Sequence, residues 1–189
     1  MKKKISGLLL LLFVLFTSVM VMILPTFFTK GISRTTMNQE FDLPLLMNDE
    51  KDVKLLFFGY SGCSDICSPR LEAINKFYTM LTKEEKKRVG VEFVDISSPS
   101  DKSLPHRFAS FFNPDFKGIY LNQKVLREYT KAFQVFFSKS LLNETEYDHS
   151  ANLYLVKKNK AHKSIRYVYS AYPYDLQQLK LDTEELLNE

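Results

Sequence analysis

The residues best equipped for chemistry are Cys63 and Cys67, the only two cysteines in the chain, set in Phe58-Gly59-Tyr60-Ser61-Gly62-Cys63-Ser64-Asp65-Ile66-Cys67-Ser68-Pro69. A disulfide across so short a loop removes little unfolded-state entropy, roughly 2 kcal/mol against nearly 5 for a hundred-residue loop. The pair is therefore placed for reactivity rather than for stapling. An apolar run precedes it and a helical pattern follows, so both sulfurs fall at a helix amino terminus, where the dipole favours thiolates. Residues four apart share a helix face, and the two sulfurs can converge on a metal ion or on each other.

The chain has three histidines, and His149, in Tyr147-Asp148-His149-Ser150 just ahead of a strand pattern, is the one placed to join them. Two soft thiolates and one imidazole suit Cu(I), which accepts low coordination numbers; Cu(II) would add an oxygen ligand. Zinc fits less well, since structural zinc takes four protein ligands and a third cysteine is lacking. The plainer alternatives are an inert Cys63–Cys67 disulfide and a turn or core role for His149. His106 and His162 read as surface residues at a helix start and a charged turn.

The elements that must position these groups are legible from periodicity. Lys54-Leu55-Leu56-Phe57-Phe58-Gly59 reads as a buried strand ending at glycine. Ile66, Ala73, Ile74, Phe77 and Leu81 mark an amphipathic helix that begins between Ser64 and Ser68, with Pro69 in its first turn. Val91–Asp95 alternates as a strand, Pro105 opens a second helix, residues 113–118 read as a loop, and Val125 to Phe133 form another helical stripe. Leu153–Val156 and Ile165–Tyr169 are strands around a basic turn, and a last helix runs from about Tyr174 to Leu187. This order predicts an α/β domain with a central sheet covered on both faces and its core strands parallel. Lys157, Lys158, Lys160, Lys163 and Arg166, with His162 among them, read as a solvated hairpin turn, or as a docking patch for an acidic partner or lipid headgroups. Tyr167, Tyr169, Tyr172 and Tyr174 read as a sheet face.

Lys2, Lys3 and Lys4 precede an uncharged, mostly apolar stretch from Ile5 to Phe28. That length suffices for a bilayer, and the flanking lysines favour a cytoplasmic amino end. The expected organisation is cytoplasmic lysines and a transmembrane anchor over 1–28, the anchor itself being the stretch 5–28, a polar linker over 29–47 and one domain over 48–189, held outside the cytoplasmic membrane by a single pass. A cleaved signal peptide is the alternative. Lys2, Lys3, Lys4 and Lys30 account for the whole +4 net charge, which leaves 22 basic against 22 acidic residues in the exported part. General nucleic-acid binding thus has no electrostatic basis.

Several stretches resemble the Sco/SenC copper proteins, membrane-anchored thioredoxin-like domains that help assemble the dinuclear copper centre of cytochrome c oxidase. Leu56-Phe57-Phe58-Gly59-Tyr60 followed by Cys63-Ser64-Asp65-Ile66-Cys67 is similar to that family's strand and its Cys-Pro-Asp-Val-Cys-Pro ligand loop. Val94-Asp95, Asp101 ahead of Pro105, and Phe112-Asn113-Pro114-Asp115-Phe116-Lys117-Gly118 follow in the family's order. Lys131-Ala132-Phe133-Gln134-Val135 resembles its Lys-Ala-Phe-Gly-Val helix end, and Tyr147-Asp148-His149-Ser150 its Val-Asp-His-Ser segment. Ser64 departs from the family proline after the first cysteine, and Pro69 lies one place beyond its usual position.

The resemblance implies copper ligation by Cys63, Cys67 and His149, with supporting or turn roles for Asp65 and Asp148. It implies a metallochaperone rather than an enzyme, with a copper-receiving oxidase subunit and a copper donor or thiol reductant as partners. A thiol–disulfide reductase using Cys63 and Cys67, and a redox or copper sensor, are the alternatives. Peroxidase chemistry would need an activating Thr and Arg near a cysteine in a different spacing, a pattern not found in this chain.

Overall fold

The computed structural model describes residues 12–23, 34–43, 51–143, 145–158 and 163–189. The chain divides into two units, residues 1–33 and 34–189. In the first, residues 12–23 form helix α1, with apolar side chains such as Phe13 and Met22 exposed. The expected anchor over 5–28 extends beyond the described residues at both ends, and among the described residues no helix is long and apolar enough to cross a membrane.

The second unit is a six-stranded mixed sheet with helices on both faces. Its strands are β1 (Arg34–Phe41), β2 (Val53–Gly59), β3 (Val89–Asp95), β4 (Lys117–Tyr120), β7 (Leu153–Lys158) and β8 (Lys163–Tyr169), in the order β1-β8-β7-β2-β3-β4. A separate hairpin pairs β5 (Phe137–Lys139) with β6 (Tyr147–His149). The helices are α2 (Cys67–Met80), α3 (Lys83–Arg88), α4 (Leu104–Phe112), α5 (Gln123–Ala132) and α6 (Leu176–Asn188). Strands β2, β3 and β4 run parallel, as crossover connections through helices require, while β7, β8 and β1 join antiparallel. The parallel core is thus confined to half of the sheet.

Strand β2 is buried along its whole length, so its alternation divides two cores instead of separating core from solvent. Val53, Leu55 and Phe57 pack with Leu71, Ile74 and Phe77 of α2 and Leu179 and Leu186 of α6. Leu56 and Phe58 pack on the opposite face with Leu126 and Tyr129 of α5, Phe133 and Tyr154.

Several features differ from the sequence reading. Lys117 and Gly118, read as loop, open strand β4, and the short β5–β6 pairing carries no periodic signal. Residues 34–41, within the expected linker, form edge strand β1 on β8, and the folded unit begins at Arg34. Helix α3 is short and wholly polar, held by a capping box in which Thr82 and Glu85 bond reciprocally, so it carries no apolar stripe. Lys157 and Lys163 are buried rather than solvated, and Lys157 Nζ donates to the Leu186 carbonyl. The tip of that hairpin, residues 159–162 with Lys160 and His162, lies outside the described residues.

Candidate metal centre

The site is built at the carboxyl ends of β2 and β3, the edge where open α/β sheets present their functional loops. The chain leaves β2 at Gly59 and turns at once, with the Cys63 N–H donating to the Tyr60 carbonyl at 3.2 Å. Gly62, third in that turn, has φ 95°, the left-handed value that a type II turn demands at this position. Asp95, fully buried at the end of β3, anchors the turn. Its Oδ2 accepts from the Ser61 N–H at 2.8 Å and from Ser61 Oγ at 2.5 Å, and its Oδ1 accepts from the Ser97 N–H at 2.7 Å and Ser97 Oγ at 2.5 Å. One carboxylate so clamps the two loops together.

Cys63 is buried beside the start of α2, and Cys67 is the first residue of that helix and fully buried. The Cys67 N–H donates to Cys63 Sγ at 3.2 Å, using an amide that the helix leaves unpaired. Both thiols are free. Cys63 is driven down to about 4, chiefly by the proton it shares with the Cys67 side chain, with the His149 ring and the Cys67 and Ile66 amides beside it adding to the effect, against the opposing effect of burial. Cys67 moves up, because its proton is shared with Cys63 and its sulfur is buried beside that charge. The pair in its reduced form is one thiolate and one thiol.

His149 closes β6, directly opposite Phe137 of β5. The hairpin is fastened by the Ser150 N–H to the Phe136 carbonyl at 2.9 Å and the Phe136 N–H to Ser150 Oγ at 2.9 Å. Arg70 of α2 donates to the Ala151 carbonyl at 3.2 Å, which ties the helix of Cys67 to the segment after His149. His149 Nδ1 lies 3.1 Å from the Ser150 carbonyl, an acceptor only, so Nδ1 carries the proton. The lone pair is then on Nε2, which faces Cys67 Sγ at 3.7 Å.

Cys63, Cys67 and His149 thus converge, with their ligand atoms all within 4.8 Å of one another. Two sulfurs and an unprotonated imidazole nitrogen form a soft, low-coordinate donor set that fits a cuprous ion. Asp65 and Asp148 are exposed and stand on the wall of a cavity of about 370 Å³ that opens onto Cys63. His106 is exposed on α4, and His162 lies outside the described residues. Ser61, Ser97 and Tyr60 have no sequence signal for their contacts, and Asp95 shows as a polar end to an apolar strand and within the Val94-Asp95 segment of the family resemblance, with no sign of the bonds it accepts.

A family model described as SCO1/SenC matches residues 49–176. An SCO2-like protein of Rickettsia conorii is 25% identical over 122 residues, covering 60% of this chain and 59% of that protein. The chain therefore spans about three-fifths of the length of that curated relative. The solution structure of apo Sco1 from Thermus thermophilus superposes with a TM-score of 0.64 at 26% identity, covering 82% of this chain and 93% of that one. Arabidopsis thaliana ScoI, crystallised with copper bound, superposes with a TM-score of 0.61 at 18% identity, covering 82% and 99%. The fold is thioredoxin-like, and the chain belongs to the SCO1/SenC family.

Proposed function

We propose that this protein is a copper metallochaperone. It holds one copper through Cys63, Cys67 and His149 and passes it by ligand exchange to the dinuclear copper site of a cytochrome c oxidase subunit. The observation that carries this reading is the convergence of two sulfurs and the free His149 Nε2 within 4.8 Å. Copper in a structural relative, Arabidopsis ScoI, supports it. Delivery to oxidase follows from the family resemblance. Lys2, Lys3, Lys4 and the uncharged stretch to Phe28 support an anchor in the cytoplasmic membrane with the domain outside.

Anaerobic Cu(I) titration of the full chain against a chromogenic competitor tests the reading, with Cys63→Ala, Cys67→Ala and His149→Ala alongside. One tight copper, lost or sharply weakened in each variant, is expected. Failure of the reduced chain to bind copper, or unchanged binding in His149→Ala, would end the proposal.

A second reading is reduction of the recipient's cysteines before metallation. The free dithiol favours it, with Cys63 held as a thiolate at neutral pH beside a resolving thiol. A Cys67→Ser chain should then accumulate a mixed disulfide through Cys63 with an oxidase subunit.

A further inference from the structure

Strand β5 forms a two-stranded sheet with β6, so one of its edges pairs with no strand among the described residues. The phase of that ladder is set by the bonds that flank it, from the Ser150 N–H to the Phe136 carbonyl and from the Ser140 N–H to the Glu146 carbonyl, both at 2.9 Å. Along an antiparallel strand, residues alternate between bonding to the partner and pointing away from it. Ser138, opposite Asp148, therefore turns its main chain toward β6, while the N–H and C=O groups of Phe137 and Lys139 point to the open side. Such a row is a template for one more strand.

A cavity of about 370 Å³ adjoins this edge. All three residues of β5 line it, although Ser138 stands on the opposite face from Phe137 and Lys139, so the cavity follows the strand's edge rather than one face. Ile96, Leu126 and Tyr147 give it an apolar wall, and its charged lining residues, Arg127 and Lys139, are both cationic and exposed. Open main-chain groups, an apolar wall and two positive charges together describe an occupant that is extended, apolar at alternate residues and acidic between them.

We propose that the open edge of β5 is a docking site for an extended acidic segment of a partner protein, which adds as a third strand to the β5–β6 hairpin and places apolar side chains in the adjoining cavity. Main-chain bonds to Phe137 and Lys139 supply affinity, and the cavity with its two cations selects the sequence. Residue His149 ends β6, and Tyr147 lines both this cavity and the one that opens onto Cys63, so a partner docked here is held beside the donor set. That such a partner receives copper rests on the function proposed above, whereas the docking itself does not.

The probe is a short acetylated peptide amide that alternates glutamate and valine, titrated up to about 1 mM, the weak end of specific recognition, into the isotope-labelled, metal-free full chain. The Phe137 and Lys139 amide protons should move downfield as they become hydrogen-bonded, and that of Ser138, already turned to β6, should move less. A strand bonds along one edge only, so of two peptides methylated on either the valine or the glutamate nitrogens, one should bind about 10-fold more weakly than the other. A chain carrying Arg127→Glu with Lys139→Glu should bind the acidic peptide about 10-fold more weakly and prefer a lysine–valine peptide.

No shift at β5, or equal binding of the two methylated peptides, overturns strand addition. Equal binding of the acidic and lysine peptides to the wild type overturns the acidic occupant. Shifts of the same amides on raising the chain's own concentration without peptide would show a second copy covering the edge, and overturn a partner segment there. Every measurement is made without copper, so a chain that binds no metal defeats the copper reading and still leaves the docking to be decided by the peptides.

Discussion

Gly59 and Cys67 share one space: a Cβ added at Gly59 would lie 2.6 Å from Cys67 Sγ and 3.0 Å from the Phe93 ring. The last residue of β2 must lack a side chain for the second sulfur to pack beneath the loop. Gly59→Ala should push Cys67 outward, destabilise the domain by about 1–3 kcal/mol and weaken copper binding at least about 10-fold. Denaturant titration and Cu(I) competition on one preparation check both effects. Wild-type copper affinity in this variant would show that Cys67 has room to spare.

Asp95 is the next point of leverage, because its two oxygens accept four hydrogen bonds from Ser61 and Ser97 with no exposure to solvent. Asp95→Ala would leave these donors without their acceptor and cost about 2–4 kcal/mol. The loss should appear as a lower denaturation midpoint with an unchanged m-value.

The cysteine pair predicts a pH dependence with a defined sign in the reduced, metal-free chain. Cys63 titrates near 4 when folded against an ordinary value of 9.0, so between those limits the unfolded chain binds more protons and stability rises with pH. Cys67 is raised from its ordinary 9.0 and acts oppositely, removing stability above that value. The denaturation midpoint of the wild type, less that of Cys63→Ser, should therefore grow from pH 5 to pH 8. A flat difference would mean that Cys63 is not a thiolate at neutral pH.

Arg34 makes β1 part of the fold. Its guanidinium meets both oxygens of the buried Asp182 of α6 at 2.5 and 2.6 Å, and the Tyr169 hydroxyl and Gln178 amide donate to the same carboxylate. Arg34→Ala strands that carboxylate beside two neutral donors and should cost about 2–4 kcal/mol, somewhat below a fully buried pair because Arg34 is partly exposed. Thermal denaturation reads it directly. A change below about 0.5 kcal/mol, the usual range for surface substitutions, would place β1 outside the cooperative unit.

The sequence alone determined the elements whose information is local. The apolar run to Gly59, the helical stripe after Cys67, the β7–β8 strands and the closing helix all declare themselves within ten to fifteen residues, because burial on one face imposes a period. Cys63, Cys67 and His149 were legible as donor types and as a resemblance to the Sco/SenC pattern. Tertiary structure alone decided what depends on distant partners. Strand β1 is a largely polar edge whose ladder is supplied by β8, more than a hundred residues later, so composition reads it as tether. Strands β5 and β6 have three residues each, too few to show a period, yet their pairing carries His149 toward Cys67. The burial of Lys157 and the four bonds on Asp95 have the same origin, since a charged side chain declares its type in sequence but not the groups that the fold will set against it.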